Sequence, residues 1–111
     1  MSEFFKPYEG HAPYIFISYA HRNSGSVLPA ITPLHEQCYR VWYDEGIPAG
    51  SDWPKNIAEH MRACSAVIFF LSAHSISSPN CFNEIEAAFR QHKPILCLRL
   101  DDTPLPARWE E

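Results

Sequence analysis

Two nearby segments indicate most clearly how the chain folds: Ala66-Val-Ile-Phe-Phe-Leu-Ser72 and Ser78-Pro-Asn-Cys-Phe-Asn-Glu84. The first is continuously apolar and rich in β-favouring residues, which predicts a strand buried on both faces. In the second, Ser78 can cap a helix and Pro79 suits its first position, so Glu84 falls on the second helical turn. Ligand clefts of open α/β sheets lie outside the carboxyl ends of strands, where this carboxylate could meet a ligand. Most glutamates on helices are simply solvated, so this placement alone is weak support for a site.

Strands and helices alternate along the rest of the chain. Apolar, β-rich runs predict strands at residues 14–18, 39–43, 66–72 and 95–100. Helical spacing of apolar residues predicts three intervening helices: one from Val27 to Cys38, one capped by Asp52, and one over 79–92. The order β-α-β-α-β-α-β predicts an α/β fold with a doubly wound, flavodoxin-like parallel sheet covered by helices on both faces.

The predicted helix 79–92 carries two apolar faces. The more apolar set, expected to face the core, is Phe82, Ile85 and Phe89. The second set has the same helical spacing and is less apolar: Cys81, Glu84 and Ala88. The helix is therefore predicted to have a core face and a second, less apolar face that carries Glu84.

The length of 111 residues corresponds to one domain, with residues 1–12 as a tail and residues 13–111 as the folded unit. A hydrophobic content of 46% is sufficient for a core. The net charge of -4 argues against nucleic acid as a partner. No apolar run reaches the roughly 18 residues that a membrane span needs, and the amino terminus lacks the features of a signal peptide. The protein is accordingly expected to be cytoplasmic.

The four cysteines do not form a metal-binding or disulfide pattern. No two of them make a C-x-x-C pair, and the gaps between them are long. Reduced thiols that act as small core residues are the simplest interpretation. His60 and Cys64 share one helical face, but two ligands do not make a zinc site. We therefore expect neither a metal nor a bound cofactor.

Four sequence blocks together resemble the TIR domain (Toll/interleukin-1 receptor-like), particularly its bacterial branch. They are residues 15–22, 41–50 with Trp53 and Ile57, 65–75, and 78–84 with Ala87 and Ala88. The blocks follow the family's order and spacing over roughly residues 13–101. The family usually continues beyond the fourth strand with a helix, a strand and a helix, which this chain is expected to lack. Asn23 also departs from the aspartate that bacterial members often show there.

The resemblance implies two possible functions, both in immune or stress signalling. Many TIR domains cleave NAD+ as a substrate, releasing nicotinamide and leaving ADP-ribose or a cyclic form. Others are adaptors that only self-associate. The enzymes carry a glutamate in the fourth block, where this chain has Glu84, and this favours the enzymatic alternative. Family enzymes often complete their site across homotypic contacts of the BB loop, which corresponds to residues 44–50 here.

The chemistry of this cleavage suits a single carboxylate. The leaving group is already a cationic pyridinium, so no strong acid is required, and positive charge gathers on the ribose in the transition state. An ionised carboxylate held near the sugar stabilises that charge. By this reasoning Glu84 is the candidate catalytic residue.

The expected substrate-binding residues follow from the family blocks: Ser18, Tyr19, Arg22, Asp44, Trp53 and Cys81. Tyr19 could stack on a ring, and Arg22 could bind the pyrophosphate. Asp44 could bind a ribose hydroxyl or hold its loop, and Trp53 could cover the substrate or plug the helix–sheet seam. Ser18 ends a strand, where hydroxyls often cap backbone groups. A phospho-receiver domain is disfavoured, because the third strand ends in Leu71-Ser72 without an acceptor aspartate.

Overall fold

The structure, a computed structural model, describes residues 7–8, 10–43 and 53–104, with residues 53–57 and 80 described by their backbone alone. Its strands are β1 Ile15–Ser18, β2 Val41–Tyr43, β3 Ala66–Leu71 and β4 Ile95–Arg99. Its α-helices are α1 Ser24–Glu36, α2 Trp53–Ala63, α3 Ala73–Ile76 and α4 Pro79–Arg90. A 3-10 helix, His21–Asn23, precedes α1.

The strands form one parallel sheet in the order β2-β1-β3-β4. Ile15 of β1 is in register with Val41 of β2 on one side and with Ala66 of β3 on the other. The chain therefore builds the sheet outward in both directions from β1, which is the doubly wound arrangement that the sequence predicted. The direction reverses between β1 and β3, and ligands of such sheets bind outside the carboxyl ends of the strands at this switch point.

The sheet separates two apolar cores, because successive side chains of a strand point to opposite faces. One core contains side chains from β1, β2, β3, α2 and α4: Phe16, Trp42, Met61, Val67, Phe69, Leu71, Cys81, Ile85 and Ala88. The other lies on the α1 side: Ile17, Tyr19, Val27, Ile31, Val41, Tyr43, Ile68 and Phe70. We call them the α4-side core and the α1-side core.

The orientation of α4 differs from the prediction. Cys81, Ile85 and Ala88 are buried against the sheet together with Glu84, whereas Phe82 is half-buried and Phe89 is exposed. The small side chains of Cys81 and Ala88 fit where the helix meets the sheet, and the phenylalanines lie to one side. The expected core face was therefore correct for Ile85, correct in part for Phe82, which packs against the α4-side core while half-buried, and wrong for Phe89.

Local hydrogen bonding explains where several helices begin and end. Ser78 caps α4 by accepting from the backbone N–H of Cys81, with Pro79 at the first helical position, as predicted. The residues after the C-caps of α1 and α4, Cys38 and His92, have φ values of 72° and 58°, the left-handed conformation that commonly ends a helix. The first helix begins at Ser24, three residues before the predicted Val27, and the 3-10 helix occupies the residues before it.

Strand β4 lies at the edge of the described sheet. It pairs with β3 from Ile95 to Arg99, and the remaining described residues contribute no strand beyond it. Leu96 is 56% exposed and Leu98 is also exposed, although strands predicted from such apolar runs are usually covered on both faces. The packing energy of the sheet therefore comes mainly from its other three strands.

Substitution of a leucine by alanine should lower the stability of the protein more in the buried strand β3 than in the exposed strand β4. Leu71 is fully buried in β3, so Leu71→Ala should lower the free energy of unfolding by about 2–5 kcal/mol through lost burial and a cavity. Leu96→Ala should change it by less than about 1 kcal/mol, because that side chain already contacts solvent. Urea unfolding followed by circular dichroism measures both, and equal losses would contradict the described packing.

Candidate functional site

The carboxylate of Glu84 lies against the end of the central strand. Its side chain is 7% exposed, and its Oε1 accepts a hydrogen bond of 2.7 Å from the hydroxyl of Ser18, the last residue of β1. Ser18 has no exposed surface. Charged side chains are seldom buried unless strong partners hold them, and a bond to an ionised acceptor is among the stronger hydrogen bonds. Glu84 is thus a fixed group beside the switch point and not a solvated surface residue.

The thiol of Cys81 is an uncharged neighbour of the Glu84 carboxylate, one helical turn before it on α4. It is buried, and this burial raises the pKa of Cys81 to about 12, with the nearby negative charge of Glu84 as the second cause. Hydrogen bonds of the thiol with Ser78 and Ser18 lower its pKa by less. Cys81 therefore stays protonated at neutral pH and does not add a charge beside the carboxylate.

The loop after β1 carries the predicted Tyr19 and Arg22. Tyr19 is buried in the α1-side core, and its ring meets that of His21 edge-on, with 5.2 Å between centroids. Arg22 is exposed in the 3-10 helix. The structure therefore brings Ser18, Cys81 and Glu84 together on the α4 side of the sheet. Tyr19 packs on the opposite face, and Arg22 lies in the 3-10 helix that precedes α1.

The remaining predicted binding residues are placed only in part. Asp44 and the BB loop, residues 44–50, lie outside the described residues. Trp53 is the first residue of α2, and only its backbone is described. Their assignments to ribose binding, self-association and substrate cover stay predictions.

A second hydrogen bond crosses the switch point and was not predicted. Ser72, directly after β3, donates from Oγ to Oδ1 of Asn23 at 2.7 Å, which connects the end of β3 to the loop after β1. Ser72 also caps α3 in a reciprocal arrangement with Ser75. The spacing of Ser72 and Ser75 could have revealed this cap, whereas nothing local in the sequence points to Asn23.

Several absences apply to the described part of the chain. Within residues 7–8, 10–43 and 53–104, no three histidine, cysteine, aspartate or glutamate side chains converge as a metal site would require. No helix in these ranges has the length and apolarity needed to cross a bilayer. The four cysteines are free thiols, two buried and two exposed.

A family model described as TIR domain matches residues 15–110, which is most of the chain. The chain belongs to the TIR family. The predicted resemblance is thereby confirmed, and the sheet order agrees with the flavodoxin-like fold of TIR domains. In this TIR domain the buried Glu84–Ser18 pair lies at the carboxyl end of β1.

Solved structures with the same fold include two TIR proteins. The TIR domain of the Toll-related receptor TRR-2 from Hydra magnipapillata aligns with a TM-score of 0.73 at 14% identity, over 85% of this chain and 75% of that one. The TIR domains of the activated Roq1 resistosome, which directly recognises the pathogen effector XopQ, align with a TM-score of 0.63 at 13% identity. That second match covers 79% of this chain and 57% of the other. At these low identities the two alignments show a shared fold and no more.

A curated relative is an uncharacterised protein of Sinorhizobium fredii, y4lF. It is 28% identical over 85 residues, which span 72% of this TIR domain and 26% of that protein. The chain thus corresponds to about a quarter of that relative's length.

The burial of the thiols predicts their reactivity. Iodoacetamide at about pH 8 should modify Cys38 and Cys97 in the native protein, because both are exposed. Cys64 and Cys81 should react only after unfolding, since both thiols are buried in the folded protein. Peptide mass spectrometry with and without guanidinium distinguishes the two pairs. Rapid labelling of Cys81 in the native protein would contradict its burial between α4 and the sheet.

Proposed function

We propose that this TIR domain cleaves the bond between nicotinamide and ribose in NAD+, with Glu84 as the catalytic carboxylate. The observation that carries the proposal is the 2.7 Å bond from Ser18 to this buried carboxylate at the carboxyl end of β1. Perturbed or buried ionisable groups at the crevice of a fold are candidates for function. Membership of the TIR family, which includes NAD+ hydrolases, supports the same conclusion.

The proposed reaction requires stabilisation of positive charge more than proton transfer. The bond from C1′ of the ribose to the pyridinium nitrogen breaks, and its electron pair leaves with neutral nicotinamide. The oxocarbenium-like sugar is then attacked by water, which loses a proton and gives ADP-ribose, or by a nucleophile within the molecule, which gives a cyclic product. A carboxylate held in place by the protein stabilises the charged sugar without having to reorganise during the reaction.

The surroundings of Glu84 suit this role. The thiol of Cys81 stays neutral because the pKa of Cys81 is about 12, so it does not repel an anionic carboxylate. The apolar residues of the α4-side core adjoin the site and lower the local dielectric, which strengthens the attraction between the carboxylate and a cationic sugar. The site therefore favours a cationic transition state over an anionic one.

The contacts to the rest of NAD+ are assigned by the family resemblance and by exposure. The exposed guanidinium of Arg22, four residues after Ser18, would bind the pyrophosphate. Asp44 and Trp53 would contact the ribose and cover the substrate, and Tyr19 would support the loop from the α1-side core. Self-assembly through residues 44–50 in the cytoplasm would complete the site and connect the activity to immune signalling.

The decisive substitution is Glu84→Gln, which keeps the size of the side chain and removes its charge. Nicotinamide release from NAD+ by the concentrated protein should fall by at least about 100-fold, because a principal electrostatic contribution to the transition state is lost. Chromatographic measurement of nicotinamide follows the reaction, and circular dichroism verifies the fold.

Glu86→Gln is the matched control. Glu86 lies two residues further along α4, and residues two apart do not share a helix face. This variant should keep the parental rate. Equal rates for Glu84→Gln and the parent would refute the catalytic assignment. Absence of turnover in the assembled parent would refute the proposed activity and leave the self-associating scaffold as the function.

A further inference from the structure

The hydroxyl of Ser18 is not in a position to bind a substrate directly. Its side chain is fully buried, and it donates to Oε1 of Glu84 at 2.7 Å. A hydroxyl buried without a partner is destabilising, so the bond accounts for the presence of a polar residue at this position. The hydroxyl therefore acts on Glu84 and has no surface with which to meet a ligand directly.

The strand geometry explains why Ser18 reaches this carboxylate. Residues i and i+2 of a strand share a face, so Ser18 continues the face of Phe16, which belongs to the α4-side core. Ser18 is also in register with Phe69 of β3, another member of that core. The bond thus forms beside apolar side chains, where a low dielectric strengthens it.

We propose that Ser18 is the positioning residue of Glu84: its hydroxyl fixes the orientation of the carboxylate and holds it in the ionised form. A hydroxyl that donates to a carboxylate stabilises the charged state relative to the protonated acid. The consequence for catalysis rests on the function proposed above, whereas the effect on the ionisation of Glu84 does not depend on it. Ser18 accordingly influences the reaction through Glu84 and not through the substrate.

The test is a carbon-13 NMR titration of the Glu84 side-chain carboxyl in the whole protein without substrate. In Ser18→Ala the midpoint of this titration should move to higher pH by about one unit, since a hydrogen bond that stabilises the ionised carboxylate is lost. Cys81, a titratable neighbour of Glu84, does not ionise in the same range because its pKa is about 12. Ser18→Cys fills the same space with a weaker donor and provides a second variant should the alanine variant unfold. It should also raise the midpoint.

Ser75→Ala is the matched control. Ser75 is also fully buried, but its hydroxyl accepts from the backbone N–H of Ser72 and donates to the carbonyl of Ser72. This variant should lose stability and leave the Glu84 midpoint unchanged. A midpoint in folded Ser18→Ala or Ser18→Cys equal to that of the parent would overturn the proposal.

The activity measurement separates this inference from the proposed function. If the parent cleaves NAD+, Ser18→Ala should lower kcat more than it changes KM, and the acidic limb of its pH–rate profile should move to higher pH. If the parent does not cleave NAD+ while the midpoint still moves, the positioning role of Ser18 stands and the proposed activity fails. If the parent cleaves NAD+ and the midpoint does not move, the positioning role fails alone.

Discussion

The hydrogen bond from Ser18 to Glu84 joins two residues that are 66 positions apart and connects the central strand to the helix packed on it. It forms only when α4 is docked on the sheet, because the partners belong to elements that meet only in the folded domain. Removing a carboxylate from water costs several kcal/mol unless strong partners compensate. The position of the charge therefore depends on the packing of the α4-side core, and the candidate site is a property of the assembled fold.

The rotation of α4 determines whether Glu84 faces the sheet or the solvent. If Phe82, Ile85 and Phe89 together faced the sheet, α4 would be rotated about its own axis by nearly 100°, which is about the angle between successive residues of a helix. Glu84 would then lie away from Ser18. The small side chains of Cys81 and Ala88 allow the observed orientation, since both are buried at the contact with the sheet. The helix face that packs on the sheet is therefore the less apolar one, and its packing places the carboxylate of Glu84 beside β1.

The switch point is held by more than one contact. The bond from Ser72 to Asn23 connects the end of β3 with the loop after β1, and the bond from Ser18 to Glu84 connects the end of β1 with α4. Together they restrain three chain segments at the carboxyl ends of β1 and β3. Such restraint suits electrostatic catalysis, in which the stabilising group must already be in place when charge develops. Asn23, which differs from the aspartate expected in bacterial relatives, supplies a neutral acceptor for this purpose.

The four strands, the three longer helices between them, the parallel sheet and the cap of α4 could be derived from the sequence, because apolar runs, helical spacing and Ser-Pro signals are local. The short helix α3 and the 3-10 helix were not predicted. The TIR family was also accessible from the sequence blocks, which made Glu84 the candidate catalytic residue. The tertiary structure alone decided which face of α4 packs on the sheet, that Ser18 donates to Glu84, and that Tyr19 is buried on the opposite side. These features depend on how side-chain volumes fit between elements distant in the chain, and periodicity within one segment carries no information about that fit.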